Sequence, residues 1–123
     1  MMVSNIVLGT NNLEQAEQFY DRLLTLFDAK QVMKNERSIL WKSAGSDTGI
    51  AVCMPYDGNP ASHGNGSMVG LKAKSVEQLE NVYATALKQG GSCEGEPGER
   101  KPGVNAAYFR DPDGNKFGIF YLE

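Results

Sequence analysis

A chain of 123 residues with a formal net charge of −3 has room for one domain and one modest core. Its twelve Lys and Arg are scattered among fifteen Asp and Glu with no basic stripe, which argues against a nucleic-acid partner. No stretch approaches the roughly eighteen apolar residues of a membrane span, and Met1, Met2, Val3, Ser4 and Asn5 lack the charged start and apolar run of a signal peptide, so a cytoplasmic protein with no membrane partner is expected.

The chain opens with a short apolar strand over residues 5–9 and then reaches a helix start. Asn12 can accept a hydrogen bond from an orphan amide of the first turn, and Gln15, three residues on, can reach back. Behind this cap Leu13, Ala16, Tyr20, Leu23 and Phe27 recur at three- and four-residue spacing, the buried stripe of an amphipathic helix. Strands are predicted near residues 30–35, 38–43 and 48–54, with a turn region at 45–49.

Shifted by 63 positions, the chain falls on itself. Leu8, Glu14, Gln15, Glu17, Tyr20 and Leu24 recur as Leu71, Glu77, Gln78, Glu80, Tyr83 and Leu87 without a gap. Shared capping chemistry alone could produce a chance likeness, but the number of identities favours duplication. In the second copy Ser75 and Gln78 form the capping box, Val76, Leu79, Tyr83 and Ala86 form the stripe, and Gly90 and Gly91 stop the helix. Strands follow near residues 92–95, 106–110 and 116–122. Asp111, Pro112, Asp113 and Gly114 make a hairpin turn between the last two. Each half therefore reads βαβββ, with module one at about 1–63 and module two at about 64–123. Residues 55–67, rich in Gly, Pro and Asn, join them as a functional loop or a plain connector.

These residues resemble a known family. The strand 5–9 with the helix start that follows it, the segment Gly64-Asn-Gly-Ser-Met68, and Tyr108-Phe-Arg-Asp-Pro-Asp-Gly-Asn115 look like the vicinal oxygen chelate superfamily, which contains glyoxalase I, extradiol dioxygenases, fosfomycin-resistance transferases and bleomycin-binding proteins. The resemblance implies an α+β fold in which two βαβββ modules form a curved mixed sheet around a cavity, with helices on the outer face. It also implies metal ligands on the first and last strand of each module in the metal-dependent members. Those positions carry Asn5, Ala51, Met68 and Gly118 here, and none is a usual ligand for zinc, nickel or iron. Same-face neighbours add only the thiol of Cys53, so no metal and no cofactor are expected.

Strand alternation then assigns faces. Asn5, Val7, Trp41, Ala51, Cys53, Met68, Gly70, Tyr108, Gly118 and Phe120 are expected to look into the cavity, and Ile6, Leu8, Val52, Val69, Leu71, Phe109 and Ile119 toward the helices. Trp41 and Tyr108 are read as equivalent, stacking on a planar ligand or lining a dimer interface. Arg100 and Lys101, in a loop spanning 96–104, are anion-binding candidates or simple solvating charges. Cys53 and Cys93 are read as reduced thiols, Cys53 as a packing residue, and His63 as a solvated loop histidine.

The predicted ligand-binding set is Asn5, Trp41, Cys53, Met68, Arg100, Lys101, Tyr108 and Phe120, with no catalytic residue assigned. The expected function is metal-free binding of a small molecule by a homodimer. The alternative is a lyase or isomerase of the lactoylglutathione lyase type.

Overall fold

Residues 5–9 form strand β1 (Asn5–Gly9), the first element of a computed structural model that describes residues 2–123. Helix α1 (Leu13–Leu24) starts at the predicted cap, where the Asn12 side chain accepts from the Gln15 N–H at 3.0 Å. The Asn12 N–H donates to Thr10 Oγ1 at 3.1 Å, so a buried threonine does the work expected of the Gln15 side chain. A 3-10 turn (Thr25–Phe27) ends on Asp28 at φ 58°, a left-handed angle that a short acidic side chain tolerates. Strands β2 (Ala29–Lys34), β3 (Ser38–Ser43) and β4 (Gly49–Cys53) complete a sheet in the order β1-β4-β3-β2. Only the β1–β4 pair is parallel.

The second half repeats this plan with β5 (Val69–Lys72), α2 (Val76–Lys88), β6 (Ser92–Lys101), β7 (Val104–Arg110) and β8 (Lys116–Leu122), in the order β5-β8-β7-β6. Ser75 Oγ accepts from the Gln78 N–H at 3.0 Å, and Gln78 Oε1 reaches back to the Lys74 N–H at 2.6 Å. Gly90, at φ 103°, supplies the left-handed residue that ends α2. The chain is thus α+β, two βαβββ modules, and its internal contacts divide it into the units Met1–His63 and Gly64–Glu123. Among the described residues no helix is long and apolar enough to cross a membrane.

In the first unit α1 lays Ala16, Phe19, Tyr20, Leu23 and Leu24 on its sheet, against Ile39, Trp41 and Val52. Burial of each large side chain contributes about 1.5–3 kcal/mol. In the second, α2 buries Leu79, Val82 and Ala86 against Ala107, Phe109, Phe117 and Ile119, with the Phe109 and Phe117 rings stacked 5.4 Å apart. Val82 takes the buried place that spacing gave to Tyr83, which is half-buried, and Val76 is exposed.

Two expectations need correction. Trp41 is 1% exposed and packs on Tyr20, ring centroids 5.5 Å apart, while its indole N–H donates to Asp21 Oδ1 at 2.8 Å. It pairs with Ile50 and lies on the helix side of the sheet; Leu40, paired with Ala51, holds the place that matches Tyr108. The second correction is β6, which runs through to Lys101 where a loop was expected. Three register shifts let the strand absorb Gly95, Pro97 and Gly98 and stay paired with β7.

On the surface of the first unit Glu17 Oε2 accepts from Lys34 Nζ at 2.8 Å and from Gln31 Nε2 at 2.8 Å. The bond from Lys34, then that from Gln31, holds the Glu17 carboxyl below its ordinary value of 4.5. A lowered folded-state value adds stability that is complete above the unfolded value and lost as pH falls through the folded one. Glu17→Gln is therefore expected to be less stable than the parent at neutral pH, with the difference closing on acidification; denaturant titrations at several pH values check this. A difference that persists in acid would mean that the contacts are not charge-dependent.

Candidate functional site

The sheet of the second unit has one face covered by α2 and one open. Alternation puts Ala106, Tyr108 and Arg110 of β7, Lys116, Gly118 and Phe120 of β8, and Gly70 and Lys72 of β5 on the open face. Tyr108 and Phe120 meet edge to face, with centroids 5.7 Å apart and planes at 81°. Both are half-buried, leaving part of each ring free for contact.

Glycines make room for these rings. A Cβ on Gly118 would lie 2.7 Å from Phe120 Cζ and 3.1 Å from Tyr108 Cε1, and one on Gly95 would lie 2.9 Å from Tyr108 Cδ2. The rings therefore lie down on the sheet, on a floor that any larger residue would lift. Beside Phe120 an open groove of about 800 Å³ runs along residues 70–74 and 120–122.

Two cations approach the tyrosine. The Arg100 guanidinium lies 5.7 Å and the Lys116 ammonium 5.6 Å from the Tyr108 ring centroid, both within cation–π range. Arg100 is held by bonds from Nη1 to the Gly98 carbonyl at 3.0 Å and from Nη2 to the Glu96 carbonyl at 2.7 Å. Arg110 donates to Glu94 Oε1 at 2.6 Å and to the Gly114 carbonyl at 2.7 Å. The Arg110 bond, followed by its charge, holds the Glu94 carboxyl below its ordinary value, and the Lys116 charge adds to this.

Of the residues predicted from sequence, this face gathers Tyr108, Phe120 and Arg100. Lys101 is exposed at the end of β6, paired with Val104, and Met68 is 46% exposed just ahead of β5. In the first unit Asn5 is exposed at the start of β1 and Cys53 is half-buried in β4, its thiol donating to the Met54 carbonyl at 3.1 Å. Trp41, buried under α1, is absent from any open face. Gly118 lies on the face that alternation gave it, as a floor for the rings; Gly95 was missed as part of the site, and Lys116, which alternates with Gly118 and Phe120 in the last strand, was not counted among the ligand-binding residues.

Acid–base candidates are few. The Tyr83 phenol is pushed up to about 12, first by its hydrogen bond with Cys93, then by burial and by the Cys93 and Glu96 charges, so it stays protonated near neutrality. His63 is exposed at the boundary between the units.

The residues at the family's metal positions do not fit a metal ion. Ala51 and Gly118 offer no donor, Asn5 and Met68 offer an amide and a thioether, and the space a ligand side chain would need at Gly118 is held by the Phe120 and Tyr108 rings. Among the described residues no group of three His, Cys, Asp or Glu comes together.

The family model for the Glyoxalase/Bleomycin resistance protein/Dioxygenase superfamily matches residues 3–119, and the chain belongs to that superfamily. It is similar to a glyoxalase/bleomycin resistance protein from Albidiferax ferrireducens T118, with 34% identity and a TM-score of 0.91 over 100% of both chains. A glyoxalase-related enzyme from Fulvimarina pelagi shares the fold at 20% identity and a TM-score of 0.79, covering 98% of this chain and 87% of that one. So does a glyoxalase/bleomycin resistance protein/dioxygenase family enzyme from Burkholderia phytofirmans PsJN, at 14% identity and a TM-score of 0.78 over 98% of each. No curated protein sequence matches the chain.

Proposed function

We propose that this protein is a small-molecule binding protein that works without a metal. The observation that carries the reading is the Tyr108 and Phe120 ring pair, lowered onto glycines on an open sheet face beside a groove. Partly exposed rings held at fixed geometry present a flat apolar surface at little entropic cost. The alternative lactoylglutathione-lyase-type activity depends, in the metal-dependent relatives, on a metal that the residues at positions 5, 51, 68 and 118 do not fit.

A homodimer belongs to the same reading, supported by the exposed apolar side chains of Val7, Met33 and Met54 in the first unit. Two free thiols support a reducing, cytoplasmic setting.

The neutral aromatic probe N-phenylnaphthylamine tests the reading by fluorescence titration. Binding is expected, and Tyr108→Ala or Phe120→Ala should weaken it about three- to tenfold, the value of one aromatic contact. Absence of binding, or affinity unchanged in both variants, would remove the proposed site.

A further inference from the structure

We propose that the ligand of this site is an organic oxyanion, its flat body against Tyr108 and Phe120 and its charged group taken by Arg100 and Lys116; the inference rests on the binding reading above. The open face carries four cations, Lys72, Arg100, Arg110 and Lys116, whereas the chain as a whole has a net charge of −3. Glu94 meets Arg110 in a salt bridge. Among the described residues, neither Arg100 nor Lys116 makes one. Two cations are thus drawn to one ring and repel each other, compensated by the ring quadrupole and, for Lys116, by the charge of a Glu94 carboxylate already engaged by Arg110. An anion between them would turn that repulsion into attraction.

The Arg100 side chain is also prepared for this role. Its two backbone bonds use one N–H on each terminal nitrogen, fix the plane of the guanidinium and leave three of the five N–H groups of an arginine. A fixed fork over an aromatic ring suits a carboxylate, sulfonate or phosphate oxygen pair. The groove beside Phe120, bordered by Lys72, gives the apolar body of such a ligand a place to lie. Inorganic ions lack that body, so the class is an anion with a planar apolar part.

The experiment compares two probes of like shape on the full chain: anilinonaphthalene sulfonate, which is anionic, and N-phenylnaphthylamine, which is neutral. Titrations at low and moderate salt give both dissociation constants, and amide chemical shifts locate the bound probe. The anion is expected to bind at least about tenfold more tightly, with salt narrowing the gap. Arg100→Gln and Lys116→Gln should each lower the ratio of anionic to neutral affinity about three- to tenfold. Equal affinity of the two probes for the parent, or an unchanged ratio in both variants, would overturn the anion proposal and leave the binding reading in place, whereas shifted amides lying away from β5, β6, β7 and β8 would remove the site and both readings with it. Binding of neither probe would overturn both.

Discussion

Trp41→Ala is expected to cost the first unit about 3–5 kcal/mol, the range for deleting a fully buried large aromatic. The indole is 1% exposed, rests against Tyr20 and donates to Asp21, which also accepts from Gln31 Nε2 at 3.0 Å. One substitution therefore opens a cavity under α1 and removes the bond that ties β3 to that helix. Trp41→Phe, which keeps a ring and loses the indole N–H, should cost about half as much or less. Because Trp41 is the only tryptophan, unfolding must be followed by far-ultraviolet circular dichroism. A fully stable Trp41→Ala protein with altered ligand affinity would return this residue to the open face.

Asp111→Ala is expected to be nearly as damaging, at about 3 kcal/mol, through unmade hydrogen bonds instead of lost volume. Asp111 is 3% exposed, and its Oδ1 accepts from the Asp113 and Asn115 N–H groups at 3.0 and 2.8 Å while Oδ2 accepts from Asn115 Nδ2 at 2.9 Å. Alanine leaves these donors without their acceptor in a buried turn, at roughly 1–3 kcal/mol for each one that water cannot reach. Asp111→Asn keeps one acceptor and sets an amide NH₂ against that of Asn115, so an intermediate loss is expected. Denaturant midpoints of the three proteins rank them, and a stable Asp111→Ala chain would show that the turn forms without its carboxylate.

Helices and strands were legible because their signals are local. Asn12 and Ser75 cap where side-chain chemistry says they should, and Asp111 to Gly114 turn the chain between β7 and β8 with the expected Asp111 carbonyl accepting from the Gly114 N–H at 2.9 Å. Facing was harder. Leu40 pairs with Ala51 and Tyr108 with Gly118, so eleven positions separate the paired residues in the first hairpin and ten in the second. A single residue reverses every side chain in a strand, and it moved Trp41 from the predicted open face to the core. The far part of β6, beyond the predicted strand at 92–95, was hidden by Pro97 and Gly98, which read as a loop until the partner strand is seen. One of the two cations over Tyr108 follows from that strand, since Arg100 reaches the ring from the far part of β6, while Lys116 comes from β8.

The rings lying on Gly118 carry a consequence for what can replace that glycine. A metal-binding side chain at this position would have to displace the Phe120 ring, because a Cβ there meets the end of that ring at 2.7 Å. Substitutions at 118 and 120 are therefore expected to be coupled, a smaller residue at 120 easing a larger one at 118. In the present packing the ring pair and a ligand side chain at position 118 compete for one space.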